Sequence, residues 1–324
     1  MTALESIQQT ISGELKTLND RISSTLKTSN ELMNQVVDTY LQTKGKQIRP
    51  ILVLLSAKLF GAVNENVISA AAAVEMLHNA SLIHDDVVDD TKKRRNKPTI
   101  NSIWDNHIAV LVGDFFVSVA LQQAIKTDDI RIIKTISELG KLLSLGEIDQ
   151  IYNARYHKLS EEAYFEVIGR KTASLFVSCI QMGGYAVGVD DERLNKMSRF
   201  AELLGLCFQI KDDIFDYYED EKIGKPTGND LREGKITLPL LYALTRQDLS
   251  QHDEMLQLSR KEELNSDEIN TLINFAKDNG GIDYAYETMT RLRNEAMEII
   301  SQFPDGDTKK SFISIFDYII DRDK

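Results

Sequence analysis

Residues 66–90 read NVISAAAAVEMLHNASLIHDDVVDD. Most of the stretch is apolar or small and free of Pro and Gly, which predicts one long buried helix. It then ends in carboxylates: Asp85, Asp86, Asp89 and Asp90. Residues i and i+4 of a helix share a face about one turn apart, so Asp85 and Asp89 stand together. Carboxylates clustered on an apolar helix repel one another and resist desolvation, and a helix C-terminus already carries partial negative charge. A cation is therefore expected among them. The pattern recurs as Asp212-Asp213-Ile-Phe-Asp216. Basic residues follow both clusters, Arg94 and Arg95 after the first and Lys225 and Lys235 after the second. Clusters of hard oxygen donors suit Mg²⁺, which keeps several waters and bridges a few carboxylates to substrate phosphates. The neighbouring cations then point to an anionic substrate, most simply a diphosphate.

The 324 residues are 42% hydrophobic and carry a net charge of −12. No nucleic-acid partner is expected, since phosphate-backbone binding needs a basic face. The five prolines are scattered, and no Ser/Gly-rich or low-complexity stretch marks a linker. We therefore expect one domain over 1–324. Cys179 and Cys207 sit in apolar sequence without metal-ligand spacing and read as reduced and buried. The N-terminal stretch, with Glu5 and Glu14, does not read as a signal peptide. Apolar runs are short or, at 108–121, broken by Asp114, so no membrane span is expected. The location expected is cytoplasmic.

Helical periodicity dominates. Over 283–303, Ala285, Met289, Leu292, Ala296, Ile299 and Phe303 form one apolar stripe. Ser160 before Glu161 and Glu162 reads as an N-cap with an acidic first turn, and Gly183-Gly184 reads as the end of that helix. Segments 66–90, 108–126, 194–218 and 236–245 also read as helices, and strands with strict alternation are lacking. The expected fold is all-α, a single bundle of ten or more helices around a deep central cavity. Both Asp clusters end their helices, and 91–101 and 219–234 form the polar loops that follow.

With these residues in place, the chain resembles the trans-isoprenyl diphosphate synthases, or polyprenyl synthetases, along nearly its whole length. The resemblance rests on Gly45-Lys46-Gln-Ile-Arg49-Pro50 and on Glu75-Met-Leu-His78 before the first cluster. Gly146-Glu147-x-x-Gln150 and Lys171-Thr172-Ala173 follow. Next come Phe208-Gln209-x-x-Asp212-Asp213-x-x-Asp216 and Gly224-Lys225. Asp230-Leu231-x-x-Gly234-Lys235-x-Thr237-Leu-Pro239 completes the set. Two positions depart from the family: Gln47, where a second basic residue is common, and Asn96, where Gly is usual.

The resemblance implies head-to-tail condensation of isopentenyl diphosphate onto an allylic diphosphate. Asp85, Asp86, Asp89, Asp212, Asp213 and Asp216 would hold divalent metal, expected as three Mg²⁺ with Mn²⁺ able to substitute. Arg94, Lys171, Lys225 and Lys235 would bind the allylic diphosphate. Lys46, Arg49, His78 and Arg95 would take isopentenyl diphosphate without metal. His78 alone would read as a core histidine; with Lys46 and Arg49 in register it reads as a substrate contact. His84 fits either a supporting or a structural role. Thr172 and Gln209 would offer neutral oxygen dipoles to the developing carbocation, and the departing diphosphate would take the proton. The family also implies a homodimer, with at most peripheral membrane contact for product release.

In the family, aromatic side chains just before the first cluster stop chain growth. Ala80 and Ser81 are small here, so a long product of about seven to nine isoprene units is expected, some 7.5 Å of helix axis (~1.5 Å per residue) separating this level from Asp85. Phe115, Phe116 and Phe176 are candidates for a floor. The alternatives are a short-chain farnesyl or geranylgeranyl synthase, or the catalytic subunit of a two-component synthase. A terpene cyclase would carry a different second cluster, and a regulatory subunit would lack aspartates.

Overall fold

The computed structural model describes residues 3–42, 45–218 and 227–322. These are helical throughout apart from turns and one two-stranded hairpin. They form two compact units, each assembled from separate stretches of chain. The first comprises Met1–Lys141, Leu175–Arg199 and Phe303–Ile315; the second comprises Leu142–Ser174, Phe200–Gln302 and Phe316–Lys324. The expected all-α class holds.

The first unit is built on α5 (Glu65–Val88), the helix expected over 66–90. Asn64 caps it by accepting a hydrogen bond from the Val67 amide at 3.0 Å. Ala70 to Ala73 are wholly buried, and their small side chains let neighbours approach closely. Against it pack α2 (Ser12–Thr25), α4 (Ile48–Phe60) and α7 (Asn106–Ile125). Phe116 of α7 and Phe176 are fully buried, each contributing about 1.5–3 kcal/mol of apolar burial. Among the described residues α7 alone is long and apolar enough to cross a membrane, with 20 residues and a mean hydropathy of 1.8. The expectation of no such segment is thus revised, but Ala109, Val112, Phe116, Val119, Ala120 and Ala124 pack into the unit's interior, as in a core helix.

The second unit centres on the final turns of α11 (Asp191–Phe215) and on α13 (Leu238–Thr245), α15 (Ser266–Asp278) and α16 (Gly281–Ser301). Tyr217, Leu240, Leu244, Leu272, Phe275 and Ile282 form its core. The α16 stripe runs through Ala285, Met289, Leu292 and Ala296 as expected, then ends on Ile300, not Ile299.

Three local readings differ. Within the expected loop 219–234, Asn229–Arg232 form a short helix. Gly183-Gly184 does not end a helix; α10 (Ser174–Tyr185) continues through both. A Cβ at Gly183 would stand 2.3 Å from the Val53 carbonyl, so the residue allows a close crossing of α4 and α10. And 91–101 is no irregular loop. Lys93–Arg94 and Lys97–Pro98 pair as an antiparallel hairpin. Its turn residues, Arg95 (φ 53°) and Asn96 (φ 61°), are both left-handed, as the tight turns that match strand twist require. Asn tolerates that region better than most residues, so Asn96 can hold the turn without Gly.

Candidate active site

The first unit gathers one half of the expected residues. Asp85 and Asp86 lie in the last turn of α5, and Asp89 follows it. Asp86 is 5% exposed and is claimed by Arg94, whose Nε and Nη2 lie 2.9 and 2.8 Å from Oδ1. Burial raises the Asp86 carboxyl above its ordinary range, and Arg94 partly offsets this. Its backbone carbonyl accepts from Asn101 Nδ2 at 3.0 Å and from the Thr91 amide at 2.9 Å. Asp89 is exposed and Asp85 half-buried. The paired helical face of the first cluster is therefore Asp85 and Asp89, while Asp86 anchors the hairpin.

The cations converge near His78. Burial holds its imidazole well below the usual histidine range, with Arg49, Arg95 and Arg94 adding to the effect in that order. Arg95 lies against Gly45, where a Cβ would meet Nη1 at 2.6 Å. The Gly-Lys-x-x-Arg-Pro segment and the hairpin turn are thus neighbours. The Arg49 guanidinium sits 5.5 Å from the centre of the Phe176 ring, and Lys46 is exposed. Glu75 is buried one turn before His78; burial raises its carboxyl above the ordinary range, and Arg49 and Arg95 oppose that. In the sequence Glu75 is legible only as part of the Glu-x-x-His motif. His84 proves structural: Nε2 lies 3.3 Å from the Val110 carbonyl and 3.4 Å from Asp114, tying α5 to α7.

The second unit holds a cavity of about 170 Å³. Gln150, Lys171, Thr172, Gln209, Asp213, Asp230 and Lys235 line it. Lys171 and Thr172 project from a single π turn, Gly169–Ala173, between α9 (Glu161–Ile168) and α10; such turns recur at functional sites. Lys171 Nζ donates to Gln150 Oε1 at 2.7 Å and pairs with Glu147 at 2.5 Å, joining the Gly-Glu-x-x-Gln and Lys-Thr-Ala motifs. Thr172 Oγ1 donates to Gln209 Oε1 at 2.7 Å, and Gln209 Nε2 donates to Asp213 Oδ1 at 2.8 Å. Tyr164 donates its hydroxyl to Asp213 Oδ2 at 2.6 Å. Both oxygens of Asp213 are thereby engaged.

Asp216 serves the backbone as well as the cluster. Its Oδ1 and Oδ2 accept from the amides of Asn229 and Asp230, each at 3.0 Å, where α12 (Asn229–Arg232) begins. Asp230, legible in the sequence only as part of the Asp-Leu-x-x-Gly-Lys motif, shares the cavity wall with Asp213. Burial pushes the Asp213 carboxyl up to about 7, against the hydrogen bonds from Tyr164 and Gln209 and with help from Asp212 and Asp216. Burial and repulsion by Asp213 and Asp216 push Asp230 up to about 8, with Lys235 opposing. Asp212, Asp213 and Asp216 are hard oxygen donors of the kind a divalent cation takes, although Asp213 and Asp216 each already accept two hydrogen bonds. Among the described residues no group of three or more His, Cys, Asp or Glu forms a metal cage, so water and a diphosphate would fill the remaining positions, as Mg²⁺ prefers. Lys225 lies outside the described residues. Cys179 and Cys207 are buried free thiols, and burial raises both, Cys207 to about 12.

Residues 30–276 match the family described as Polyprenyl synthetase. The octaprenyl diphosphate synthase of Haemophilus influenzae is 30% identical over 99% of this chain and 98% of its own. Heptaprenyl diphosphate synthase component 2 of Bacillus subtilis is 34% identical over 86% of this chain and 79% of its own. Among solved structures, the polyprenyl synthase of Caulobacter crescentus complexed with calcium and isoprenyl diphosphate superposes with a TM-score of 0.91 at 28% identity, covering 98% of each chain. The geranylgeranyl pyrophosphate synthase of Bacteroides thetaiotaomicron gives 0.85 at 37% identity over 99% of each.

Proposed function

The chain belongs to the polyprenyl synthetase family, and from that premise we propose that it is a cytoplasmic, long-chain trans-polyprenyl diphosphate synthase acting as one catalytic domain. The observation that carries this reading is the Thr172–Gln209–Asp213 chain beside Lys171 and Lys235 in one cavity. Isopentenyl diphosphate would be extended onto an allylic diphosphate to about seven to nine isoprene units.

In this reading both aspartate-rich clusters take divalent metal. Asp85, Asp89 and Asp212 would ligate Mg²⁺, with Asp213 and Asp216 shaping the second cluster through their own hydrogen bonds. Bound metal would neutralise the charge that grows on the leaving diphosphate as its C–O bond breaks. Lys171 and Lys235 would grip the same leaving group. Gln209 and Thr172 would turn their side-chain oxygens toward the allylic cation, and neither is a nucleophile strong enough to trap it. Arg49, Arg95, Lys46 and neutral His78 would hold isopentenyl diphosphate while its double bond attacks. The released diphosphate would accept the proton lost as the new double bond forms.

Long product is supported by the octaprenyl and heptaprenyl relatives and by small residues at 80 and 81. The similarity to a geranylgeranyl synthase favours a second reading, a short-chain enzyme. Homodimer formation is supported by α7, which exposes Val110, Leu111, Leu121 and Ile125 on its outer side; a second copy would bury them. Incubating the purified chain with farnesyl diphosphate, labelled isopentenyl diphosphate and Mg²⁺, then sizing the products, tests the proposal. Products of 35 carbons or more support it. A stop at 15 or 20 carbons replaces it with the short-chain reading, and no turnover without an added subunit replaces it with a two-component synthase.

A further inference from the structure

Arg322, which follows α17 (Asp307–Asp321), returns to the second aspartate cluster. Its Nη2 lies 2.5 Å from Asp212 Oδ1 and 3.2 Å from the Phe208 carbonyl oxygen. The guanidinium carbon sits 4.2 Å from the centre of the Phe208 ring and 5.4 Å from that of Phe215. The side chain is 8% exposed. Phe208, Asp212 and Phe215 are spaced i, i+4, i+7 on α11, so the guanidinium is fitted to one helical face. The segment that brings it there is itself fixed. Phe316 packs edge-on against Phe200, and Arg293 binds Asp317 through Nε at 3.0 Å and Nη2 at 2.6 Å. An exposed ion pair contributes little, but a buried, stacked arginine with two acceptors is a built contact.

Asp212 is also the residue that the proposed function gives to the divalent cation. Mg²⁺ binds carboxylate oxygen at roughly 2.1 Å, so metal on Oδ1 would bring a second positive charge directly against the guanidinium. The two cations compete for one oxygen. We propose that Arg322 is a positioning residue, a resident counter-cation that holds Asp212 until divalent metal displaces it and so frees the end of α17. This rests on the metal-dependent reading above. The arginine keeps a cluster of carboxylates from standing unneutralised before substrate arrives, and it couples metal binding to the order of the segment that follows α11 in space.

The test titrates the full chain with MgCl₂ at a fixed concentration of inorganic diphosphate, by calorimetry, and follows hydrogen exchange of the 307–322 peptide in parallel. Arg322→Gln should lower the half-saturating Mg²⁺ concentration about fivefold or more. Arg322→Lys, which keeps charge but loses the planar fork, should fall between it and the wild type. In the unaltered chain, Mg²⁺ with diphosphate should speed exchange in that peptide, a readout that needs no variant to fold. An unchanged midpoint in Arg322→Gln, or exchange indifferent to Mg²⁺, overturns the displacement while Asp212→Asn still weakens Mg²⁺ binding. If Asp212→Asn also leaves the midpoint unmoved, the metal role of Asp212 fails, and the displacement fails with it.

Discussion

Arg94 spends two of its donors on a single oxygen of Asp86, at 2.9 and 2.8 Å, and this separates the aspartates of the first cluster into two jobs. Asp86 is buried and holds the hairpin, whereas Asp85 and Asp89 stand one turn apart at the accessible end of α5. Asp85→Ala should lower turnover by orders of magnitude and move the melting temperature little. Asp86→Ala leaves Arg94 without its carboxylate and should also cost stability, about 1–3 kcal/mol. Paired activity and urea-unfolding measurements check this. Equal stability of the two variants would refute the division.

Thr172 illustrates a dependence that runs through three side chains. Its hydroxyl is donated to Gln209, and Gln209 in turn donates to Asp213. Thr172→Val keeps the shape but removes the donor, so Gln209 is free to rotate or flip its amide. Loss of one oriented dipole beside a developing charge costs on the order of 10²-fold in kcat. We expect that loss in kcat, with KM for both substrates within a fewfold of wild type. A rise in KM at constant kcat would instead assign Thr172 to binding.

His78 supplies a pH signature. Its folded pKa lies well below the ordinary value, so between the two the unfolded chain binds the proton and the folded chain does not. Stability from this group is then present above the unfolded pKa, about 6.5, and is lost as pH falls below it. The imidazole should be neutral at pH 7, able to donate one hydrogen bond to a diphosphate without adding charge. NMR titration of its ring protons should show no protonation near pH 6 in the substrate-free protein. Adding isopentenyl diphosphate should move the titration upward, because an anion favours the charged ring. Titration at the ordinary pKa in the free protein would remove the buried cationic site from this account.

Long periodic helices were the most legible part of the sequence. The segments 66–90, 108–126 and 236–245 correspond closely to α5, α7 and α13 because apolar spacing and capping residues speak for themselves locally. Ser160 caps α9 as expected, accepting from the Ala163 amide at 3.3 Å. What depended on distant partners was hidden. Gly183-Gly184 look like a helix end until the Val53 carbonyl is seen beside them. The hairpin over 93–98 is too short to carry a strand pattern, and its left-handed turn rests on Arg95 and Asn96 in place of Gly. The same holds for the site. Aspartate spacing located both clusters, but it could not show that Asp86 is committed to Arg94, that Asp216 caps α12, or that Asp230 joins Asp213. A lone Arg322 carries no motif at all.

Chain length should be governed by Ser81 more than by Ala80. Ala80 is wholly buried, whereas Ser81 is half-buried and one turn ahead of Asp85, with its hydroxyl turned back to the His78 carbonyl at 2.9 Å. Room for a larger side chain therefore exists at Ser81 and not at Ala80. Ser81→Phe should place a ring where the growing tail must pass and shorten the product to farnesyl or geranylgeranyl length, with turnover of the first condensation retained. Ala80→Tyr should overpack the interior and cost about 1–3 kcal/mol, so a lowered melting temperature is expected before any orderly change in length. Product sizing of both variants alongside their thermal unfolding decides between the positions. Were Ala80→Tyr to shorten the product at wild-type stability while Ser81→Phe left it long, the tail would run along the other side of α5.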